Sequence, residues 1–218
     1  FKIFEPLKPS YQRYADVFAA LGFPIDLNEK YLLPTPSMSE PVKNLFNGVN
    51  VHIGVAPFAS YVSKQYPFDK ICNVIEKLSE RYPNGKIYIF GGGKEEEQKV
   101  AQIQLPNTEN MVGKLSFKQE LELISHLDLM IGMDSGNAHL SAMYGVPTIT
   151  LWGVTHPYAG FYPYAQPKEN ALLADRTQFP LIPTSVYGKK YPKGYEKAIE
   201  TISEEMILAK VEQILNIL

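Results

Sequence analysis

Short apolar runs alternate along most of the chain with longer segments whose apolar residues recur every three or four positions. The short runs predict strands over residues 49–56, 86–90, 109–112, 127–133, 146–152 and 170–174. The longer segments predict helices over residues 10–21, 67–81, 94–103, 116–126, 137–144 and 203–217. Strands that alternate with helices are typical of βαβ units, and strands that are apolar throughout fit a sheet covered on both faces. The pattern therefore predicts an α/β fold with a parallel sheet flanked by helices.

Proline, glycine and serine mark where this pattern breaks. Residues 24–47 hold four prolines without a sustained period and predict a linker or an irregular edge, and residues 176–195 predict mostly loop. In the first helix, Ser10 is the expected N-cap and Gly22 the expected stop. Ser116 is the expected N-cap of the helix over residues 116–126.

The composition is that of an ordinary soluble globular chain, with 45% of the 218 residues hydrophobic and 20% charged. The net charge of -2 gives no sign of a surface for nucleic acid. Cys72 is the only cysteine, so no intrachain disulfide can form and a reducing compartment is expected. No apolar run reaches the length of about 18 residues that a membrane-spanning helix needs.

A polar turn follows the apolar run 127–133. It reads Asp134-Ser135-Gly136-Asn137-Ala138-His139. A helix start offers unpaired backbone N–H groups and the positive end of a dipole, which together favour an anion. Asp134 would lie at the carboxyl end of its strand, where open α/β sheets bind ligands, and His139 can face the same crevice. The turn thus predicts a ligand site. The competing interpretation is that Asp134 and Ser135 only cap the helix and His139 only packs.

Two further loops that follow predicted strands suit a ligand that contains phosphate. In the loop of residues 57–64, the Ser60 hydroxyl and the Lys64 ammonium can serve phosphate oxygens, although such a lysine can equally be a solvated surface residue. Residues 91–93 are glycines, which allow a ligand to approach the backbone closely. The glutamates at 95–97 can accept from ribose hydroxyls, or can form a solvated first helical turn.

All the polar loops, with a fourth after the strand over residues 146–152, follow apolar strands. Ligand crevices of α/β proteins lie at the carboxyl ends of the strands. We therefore expect one edge of the sheet to carry residues 57–64, 91–95, 134–139 and 153–157.

The sequence lacks the residues that metal-dependent, covalent nucleophilic or nicotinamide-dependent catalysis would need. The histidines have no metal-ligand spacing such as HExxH, so no metal site is expected, and no GxSxG elbow is present. Cys72 lies on an apolar helix face without a paired base, which disfavours a covalent nucleophile. A nicotinamide-dependent oxidoreductase would need GxGxxG after the first strand, and residues 54–57 do not supply it. A non-catalytic nucleotide-binding module is the other alternative.

A series of motifs in a fixed order carries a family resemblance. The motifs are Ala-Pro-x-Ala-Ser-x-x-x-Lys-x-Tyr-Pro, Phe-Gly-Gly, Val-Gly-Lys-Leu-Ser, Asp-Ser-Gly-x-x-His and Leu-Trp-Gly-x-Thr-x-Pro. Over roughly residues 50–165 the series resembles glycosyltransferase family 9, the lipopolysaccharide heptosyltransferases. The resemblance implies a Rossmann-like parallel sheet flanked by helices that forms the C-terminal half of a GT-B glycosyltransferase.

The same resemblance implies an inverting glycosyltransferase that needs neither metal nor cofactor. Its expected donor is a nucleotide-diphosphate sugar, ADP-heptose, and its expected acceptor is a lipopolysaccharide or related glycan. The donor-binding roles that it implies are Ser60 and Lys64 for the diphosphate, Glu95 (with Glu96 as a close alternative) for the ribose, Leu115 for the adenine pocket, Asp134 for sugar hydroxyls, the backbone of Ser135, Gly136 and Asn137 for the phosphates, and His139 as support for that loop.

The resemblance also implies a division of the chain. Residues 1–48 would be the end of the N-terminal GT-B domain and a linker, 49–178 the nucleotide-sugar-binding domain, and 179–218 a C-terminal arm and helix that pack back toward the N-terminal domain. The apolar stripe of the last helix, which would face that domain, comprises Ile207, Val211, Ile214 and Leu218.

The catalytic base is expected outside this chain, in the N-terminal half. The expected partners are the nucleotide-sugar donor, a glycolipid acceptor and that N-terminal domain, with no nucleic acid. The expected location is the cytoplasm, with peripheral association at the inner face of the inner membrane.

Overall fold

Six short strands build a single parallel sheet in the computed structural model, which describes residues 3–28 and 30–216. They are β1 (His52–Ala56), β2 (Lys86–Ile89), β3 (Thr108–Asn110), β4 (Leu129–Met133), β5 (Thr148–Trp152) and β6 (Ala171–Leu173). Their order is β3-β2-β1-β4-β5-β6, and Ile53 of β1 lies between Ile87 and Leu129. The sheet therefore changes its direction of growth between β1 and β4, which is where open α/β sheets form their ligand crevice.

Helices cover both faces of this sheet. The α-helices of the described residues are α1 (Ser10–Ala20), α2 (Glu40–Phe46), α3 (Phe68–Arg81), α4 (Lys94–Val100), α5 (Phe117–Ile124), α6 (Gly136–Met143) and α7 (Glu204–Leu215). Successive strand residues point to opposite faces. Ile87 and Ile89 accordingly join a core cluster with α3 and α7, whereas Tyr88 joins a second cluster with α2 and α5. The predicted α/β fold with a flanked parallel sheet is confirmed.

Helix α2 lies in the segment that the sequence predicts to be a linker. Its Pro41 stands in the first turn, where a missing backbone N–H costs nothing, rather than ending the helix. Val42 is fully buried in the second cluster. The backbone N–H and the hydroxyl of Ser39 both donate to Glu122 Oε2, at 2.8 and 2.7 Å. These contacts attach the segment to α5, so it is part of the domain and not a free connection.

The expected caps are right for one helix and wrong for another. Ser116 and Gln119 form a complete capping box at α5, as the sequence predicts for Ser116. At α1 the N-cap position is taken by Pro9, and Ser10 is already the first helical residue without a side-chain cap. Gly22 follows α1 with a φ of +90°, a conformation that suits glycine at a helix end.

The last helix packs differently from the expectation. Ile207 and Val211 of α7 are fully buried in the cluster that α3 shares with the sheet, and Ile214 packs against the same cluster. The expected stripe is therefore covered by this chain itself, because α3 offers it an apolar face; Leu218 lies outside the described residues. A short 3₁₀ helix over Tyr195–Thr201 leads into α7 and adds buried Ala198 and Ile199. The three-part division of the chain stays a prediction.

Helix α1, by contrast, leaves apolar side chains in solvent. Tyr14, Val17, Phe18 and Leu21 are all exposed, and only Ala15 of the helix is buried. The first turn is attached to the rest of the chain by the Ser10 N–H, which donates to the Gly160 carbonyl at 2.8 Å. None of the described helices combines the length and the hydropathy that crossing a membrane would require.

Candidate functional site

A cleft of about 360 Å³ opens at the carboxyl edge of the sheet, where the strand order reverses. It is lined by Ala56, Phe58, Ala59, Ser60, Phe90, Gly91, Gly92, Glu96, Ser135, Gly136 and Asn137. Three of the polar loops thus meet around one space. The fourth loop joins them through Thr155, whose hydroxyl donates to Asp134 at 2.9 Å. The expectation that the four loops share one edge is met.

The glycine loop after β2 forms one wall of the cleft and leaves little room for a side chain at Gly91. A Cβ at this position would lie 2.9 Å from Glu96 Oε2 and 3.0 Å from Cδ2 of Phe58. The Gly92 N–H donates to the same Glu96 oxygen at 2.7 Å. Phe58 is held in place by stacking on Phe68, with 5.7 Å between the ring centroids. The wall is therefore a fixed backbone surface with one carboxylate beside it.

The structure places Glu96, and not Glu95, at the cleft. The side chain of Glu95 is 83% exposed and forms an ion pair with Lys99 at 2.9 Å, one helical turn away. This pairing lowers the pKa of Glu95, as the Lys99 hydrogen bond favours the carboxylate. Leu115 is also outside the cleft lining, because its side chain packs against the second core cluster. Glu96 therefore replaces Glu95 as the candidate contact for a ribose.

The start of α6 faces the cleft with its backbone. Ser135 is extended, with φ of −150° and ψ of 173°, and makes no side-chain capping bond. Ser135 therefore stands at the N-cap position without capping through its side chain, and the contacts of Asp134 are with Lys64 and Thr155. Ser135, Gly136 and Asn137 line the cleft, where the first N–H groups of a helix have no partner within the helix. This edge of the cleft is suited to an anion.

Lys64 and Asp134 form a buried ion pair next to this edge. Lys64 Nζ lies 2.8 Å from Asp134 Oδ2, and the side chains are only 14% and 8% exposed. The Thr155 hydroxyl donates to the same Oδ2, so Asp134 Oδ1 accepts from no donor among the described residues. Lys64 carries three N–H donors, and the ion pair with Asp134 occupies at most one of them. Both side chains therefore keep hydrogen-bonding capacity for a ligand.

Thr155 is a site residue that the sequence analysis does not single out. It is almost completely buried and lies directly after β5, in the motif Leu-Trp-Gly-x-Thr-x-Pro. The signal was available, since a hydroxyl that follows an apolar strand stands at the ligand edge of the sheet. Its partner Asp134 could be identified only from the coordinates.

His139 lies within α6 and is half-buried, and its pKa is below the ordinary value. Burial lowers its pKa, the nearby Asp134 carboxylate opposes that shift, and the Lys64 ammonium adds to it. A lowered pKa favours the neutral ring, which contributes no positive charge to an anion site. His156 in the fourth loop is also buried, and its Nδ1 accepts from the Tyr158 N–H at 3.1 Å.

The site brings together most of the residues that the sequence predicts for a donor. Ser60, Lys64, Asp134 and the backbone of residues 135–137 surround or adjoin the cleft, with His139 close to the ion pair. Among residues 3–28 and 30–216, no group of three His, Cys, Asp or Glu side chains is placed to hold a metal ion. Within the described site, positive charge for a phosphate would come from Lys64 and the helix start.

Comparison with known proteins decides the family. The model of glycosyltransferase family 9 (heptosyltransferase) matches residues 4–189. The chain belongs to this family. The resemblance that the motifs carry is thereby confirmed.

Curated relatives of this family 9 chain are longer than the chain. The lipopolysaccharide heptosyltransferase 1 of Campylobacter coli is 27% identical over an alignment of 218 residues that covers 98% of this chain and 57% of that protein. The lipooligosaccharide heptosyltransferase 2 of Campylobacter jejuni is 26% identical over 179 residues, which are 79% of this chain and 53% of that protein. The chain spans just over half the length of these relatives.

Solved structures agree with the fold of this family 9 chain. A family 9 glycosyl transferase from Veillonella parvula superposes with a TM-score of 0.69 at 18% identity, over 99% of this chain and 62% of that one. An E. coli heptosyltransferase solved with ADP superposes with a TM-score of 0.64 at 14% identity, over 93% of this chain and 56% of that one. At these identities the match shows a shared fold, and it covers little more than half of each neighbour.

Proposed function

We propose that this family 9 chain supplies the donor site of an inverting glycosyltransferase, with ADP-heptose as donor and a lipopolysaccharide or related glycan as acceptor. The observation that carries the proposal is the meeting of Lys64, Asp134 and the α6 start beside a cleft walled by glycines. The names of relatives support the choice of substrates. The Campylobacter coli relative is a lipopolysaccharide heptosyltransferase, and one E. coli structure of similar fold holds ADP.

The nucleotide diphosphate occupies the cleft in this proposal. The backbone N–H groups of residues 135–137, the Ser60 hydroxyl and the Lys64 ammonium serve the phosphate oxygens. Glu96 accepts from the ribose hydroxyls beside the glycine wall. Asp134 would repel phosphates if it faced them alone, so its free oxygen is better suited to a hydroxyl of the donor sugar.

The proposed transfer is a displacement at the anomeric carbon in which the nucleoside diphosphate is the leaving group. The acceptor hydroxyl attacks the anomeric carbon of the sugar from the side opposite the diphosphate, and the bond between that carbon and the phosphate oxygen breaks. The nucleoside diphosphate departs with the electron pair, and the anomeric configuration is inverted. Lys64 and the α6 start are in place before the charge develops, which is electrostatic stabilisation of the leaving group. A base outside the described site takes the acceptor proton.

We also propose that the enzyme works in the cytoplasm, at the inner face of the inner membrane. A soluble nucleotide-sugar donor and a single unpaired cysteine, Cys72, suit the cytoplasm. A glycolipid acceptor requires the protein to meet the inner face of the inner membrane as a peripheral partner.

Calorimetric titration with ADP, UDP and NAD, in a buffer without divalent metal, tests the proposed class of ligand. We expect ADP to bind and NAD to bind no more than weakly, since NAD carries a second nucleoside on its diphosphate where the proposed donor carries only a sugar. Titration with magnesium present is the control. A strict need for magnesium, or a preference for NAD, would contradict the proposal.

Replacing Glu96 by Gln should weaken ADP binding by about tenfold, as a hydrogen bond to a charged group is worth about 1.5–3 kcal/mol. The substitution keeps the oxygen that accepts from the Gly92 N–H, so the wall is preserved. Glu95→Gln is the matched control on the adjacent, solvent-facing position and should leave affinity unchanged.

The comparison with 2′-deoxy-ADP identifies the group that Glu96 contacts. The wild type should lose affinity for the deoxy ligand, and Glu96→Gln should lose less because its contact is already weakened. If Glu95→Gln has the larger effect on ADP, the assignment of the ribose contact to Glu96 is wrong.

A further inference from the structure

A short segment between β6 and α7 lies over Lys64. We call residues 184–188 the strap. At one end the Thr184 N–H donates to the Val154 carbonyl at 2.9 Å. At the other end the Gly188 carbonyl accepts from the buried Ser63 hydroxyl at 2.6 Å. The strap therefore joins the loop after β5 to the turn that carries Lys64.

Gly188 is the point at which the strap meets the lysine. Its φ is +81°, and a Cβ there would lie 2.9 Å from Cγ and 3.0 Å from Cδ of Lys64. The same Cβ would lie 3.1 Å from the Ser63 hydroxyl oxygen. The glycine backbone thus lies directly against the hydrocarbon stem of Lys64, in space that a side chain would need.

A second close approach fixes the position of the same turn. A Cβ at Gly153 would lie 2.6 Å from the carbonyl oxygen of Ser63 and 3.1 Å from Cβ of Ile199. Two glycines from different loops therefore pack against residues 63 and 64, one on the Ser63 carbonyl and the other on the Lys64 stem. The turn has little room to move, and the ammonium of Lys64 is held at its far end by Asp134.

We propose that Gly188 and the strap are positioning elements for Lys64, and this inference rests on the proposed role of Lys64 at the diphosphate. A lysine stem has many rotamers, and their loss opposes binding when the ligand must order the side chain. Packing the stem under the strap fixes its rotamer before the ligand arrives, which is preorganisation. The strap takes no part in contacting the nucleotide.

The test compares Gly188→Ala with Gly194→Ala. Gly194 has a φ of +92° and nothing within 4 Å of its would-be Cβ, so its variant carries the same kind of backbone strain without the contact to Lys64. We expect Gly188→Ala to weaken ADP binding by about three- to tenfold, a part of the loss that removing the ammonium causes. Gly194→Ala should match the wild type. Adenosine, which has no phosphate, should bind both variants equally.

Two further variants make the outcome decisive. In a Lys64→Ala background, Gly188→Ala should add no loss, because the stem that it displaces is gone. If Gly188→Ala does not fold, Ser63→Ala replaces it in the test. This variant removes the hydrogen bond to the Gly188 carbonyl without adding an atom, and it should also weaken ADP binding. Equal ADP affinities for Gly188→Ala and Gly194→Ala, beside a large loss in Lys64→Ala, would overturn the inference and leave the proposed function standing. No loss in Lys64→Ala would overturn the proposed function, and the inference with it.

Discussion

Lys64→Ala is expected to weaken ADP binding about 10- to 150-fold, which corresponds to the roughly 1.5–3 kcal/mol of a hydrogen bond to a charged group. Lys64 is the one lysine or arginine of the described residues that is paired with Asp134, and its ammonium lies next to the α6 start. When Lys64 is shortened, the Asp134 carboxylate loses its paired cation and faces the phosphates without that compensation.

The control for this variant is Lys70→Ala. Lys70 is on α3, where it forms a half-exposed ion pair with Glu200 at 3.1 Å, and it is not among the residues that line the cleft. Calorimetry without divalent metal should show the wild-type affinity for Lys70→Ala. Equal affinity of Lys64→Ala and the wild type would remove Lys64 from the site.

Asp134→Asn is expected to weaken the binding of the nucleotide sugar more than the binding of ADP. The variant loses a carboxylate that would accept from the donor sugar, so the ratio of the Kd for the nucleotide sugar to the Kd for ADP should rise about tenfold. Affinity for ADP itself should stay the same or increase, because the Lys64 ammonium is released from its ion pair with Asp134 and its full charge faces the phosphates.

The same variant should also lose stability in its free form. Removing one partner of a buried ion pair leaves the other charge uncompensated, at a cost on the order of 3 kcal/mol. ADP supplies negative charge at that point, so it should raise the Tm of Asp134→Asn more than that of the wild type. Asp128→Asn is the matched control, since Asp128 stands at the opposite end of β4 and accepts from the His52 N–H at 2.7 Å. If nucleotide sugar and ADP lose affinity equally in Asp134→Asn, the carboxylate only supports the loop.

Periodicity was sufficient to predict the sheet and the place of the loops. The apolar runs correspond to β1 through β6, and polar residues after them meet at one edge because parallel strands end together. Helix α2 was missed because Pro41 suggests a break, and only tertiary contacts, such as those of buried Val42, show that it begins a helix instead. The position of proline within a turn decides between these outcomes, and one sequence does not reveal it.

The points at which the structure differs from the sequence-based expectation also depend on tertiary contacts. Glu95 and Glu96 are adjacent and chemically alike, and the choice between them depends on which side of α4 faces the glycine wall. The position of Thr155 after an apolar strand could be read from the sequence, but its contact with Asp134, which is 21 residues away along the chain, could not. The stripe on α7 could be read from the sequence, but not that α3 covers it. Residue types predict a function when the residues lie close together in the sequence. Contacts between residues that are far apart in the sequence can be identified only from coordinates.

The pairing of Lys64 with Asp134 has a consequence for how a ligand reaches the site. The two charges offset each other at 2.8 Å, so the pair adds little net positive field beyond a few ångströms. Lys64 therefore contributes little long-range attraction to an anion, and Asp134→Asn should make the association rate more sensitive to ionic strength than it is in the wild type. Small abundant anions are not drawn in ahead of the nucleotide. Discrimination takes place at contact distance, where a ligand must fit the glycine wall and the helix start before it gains from the lysine.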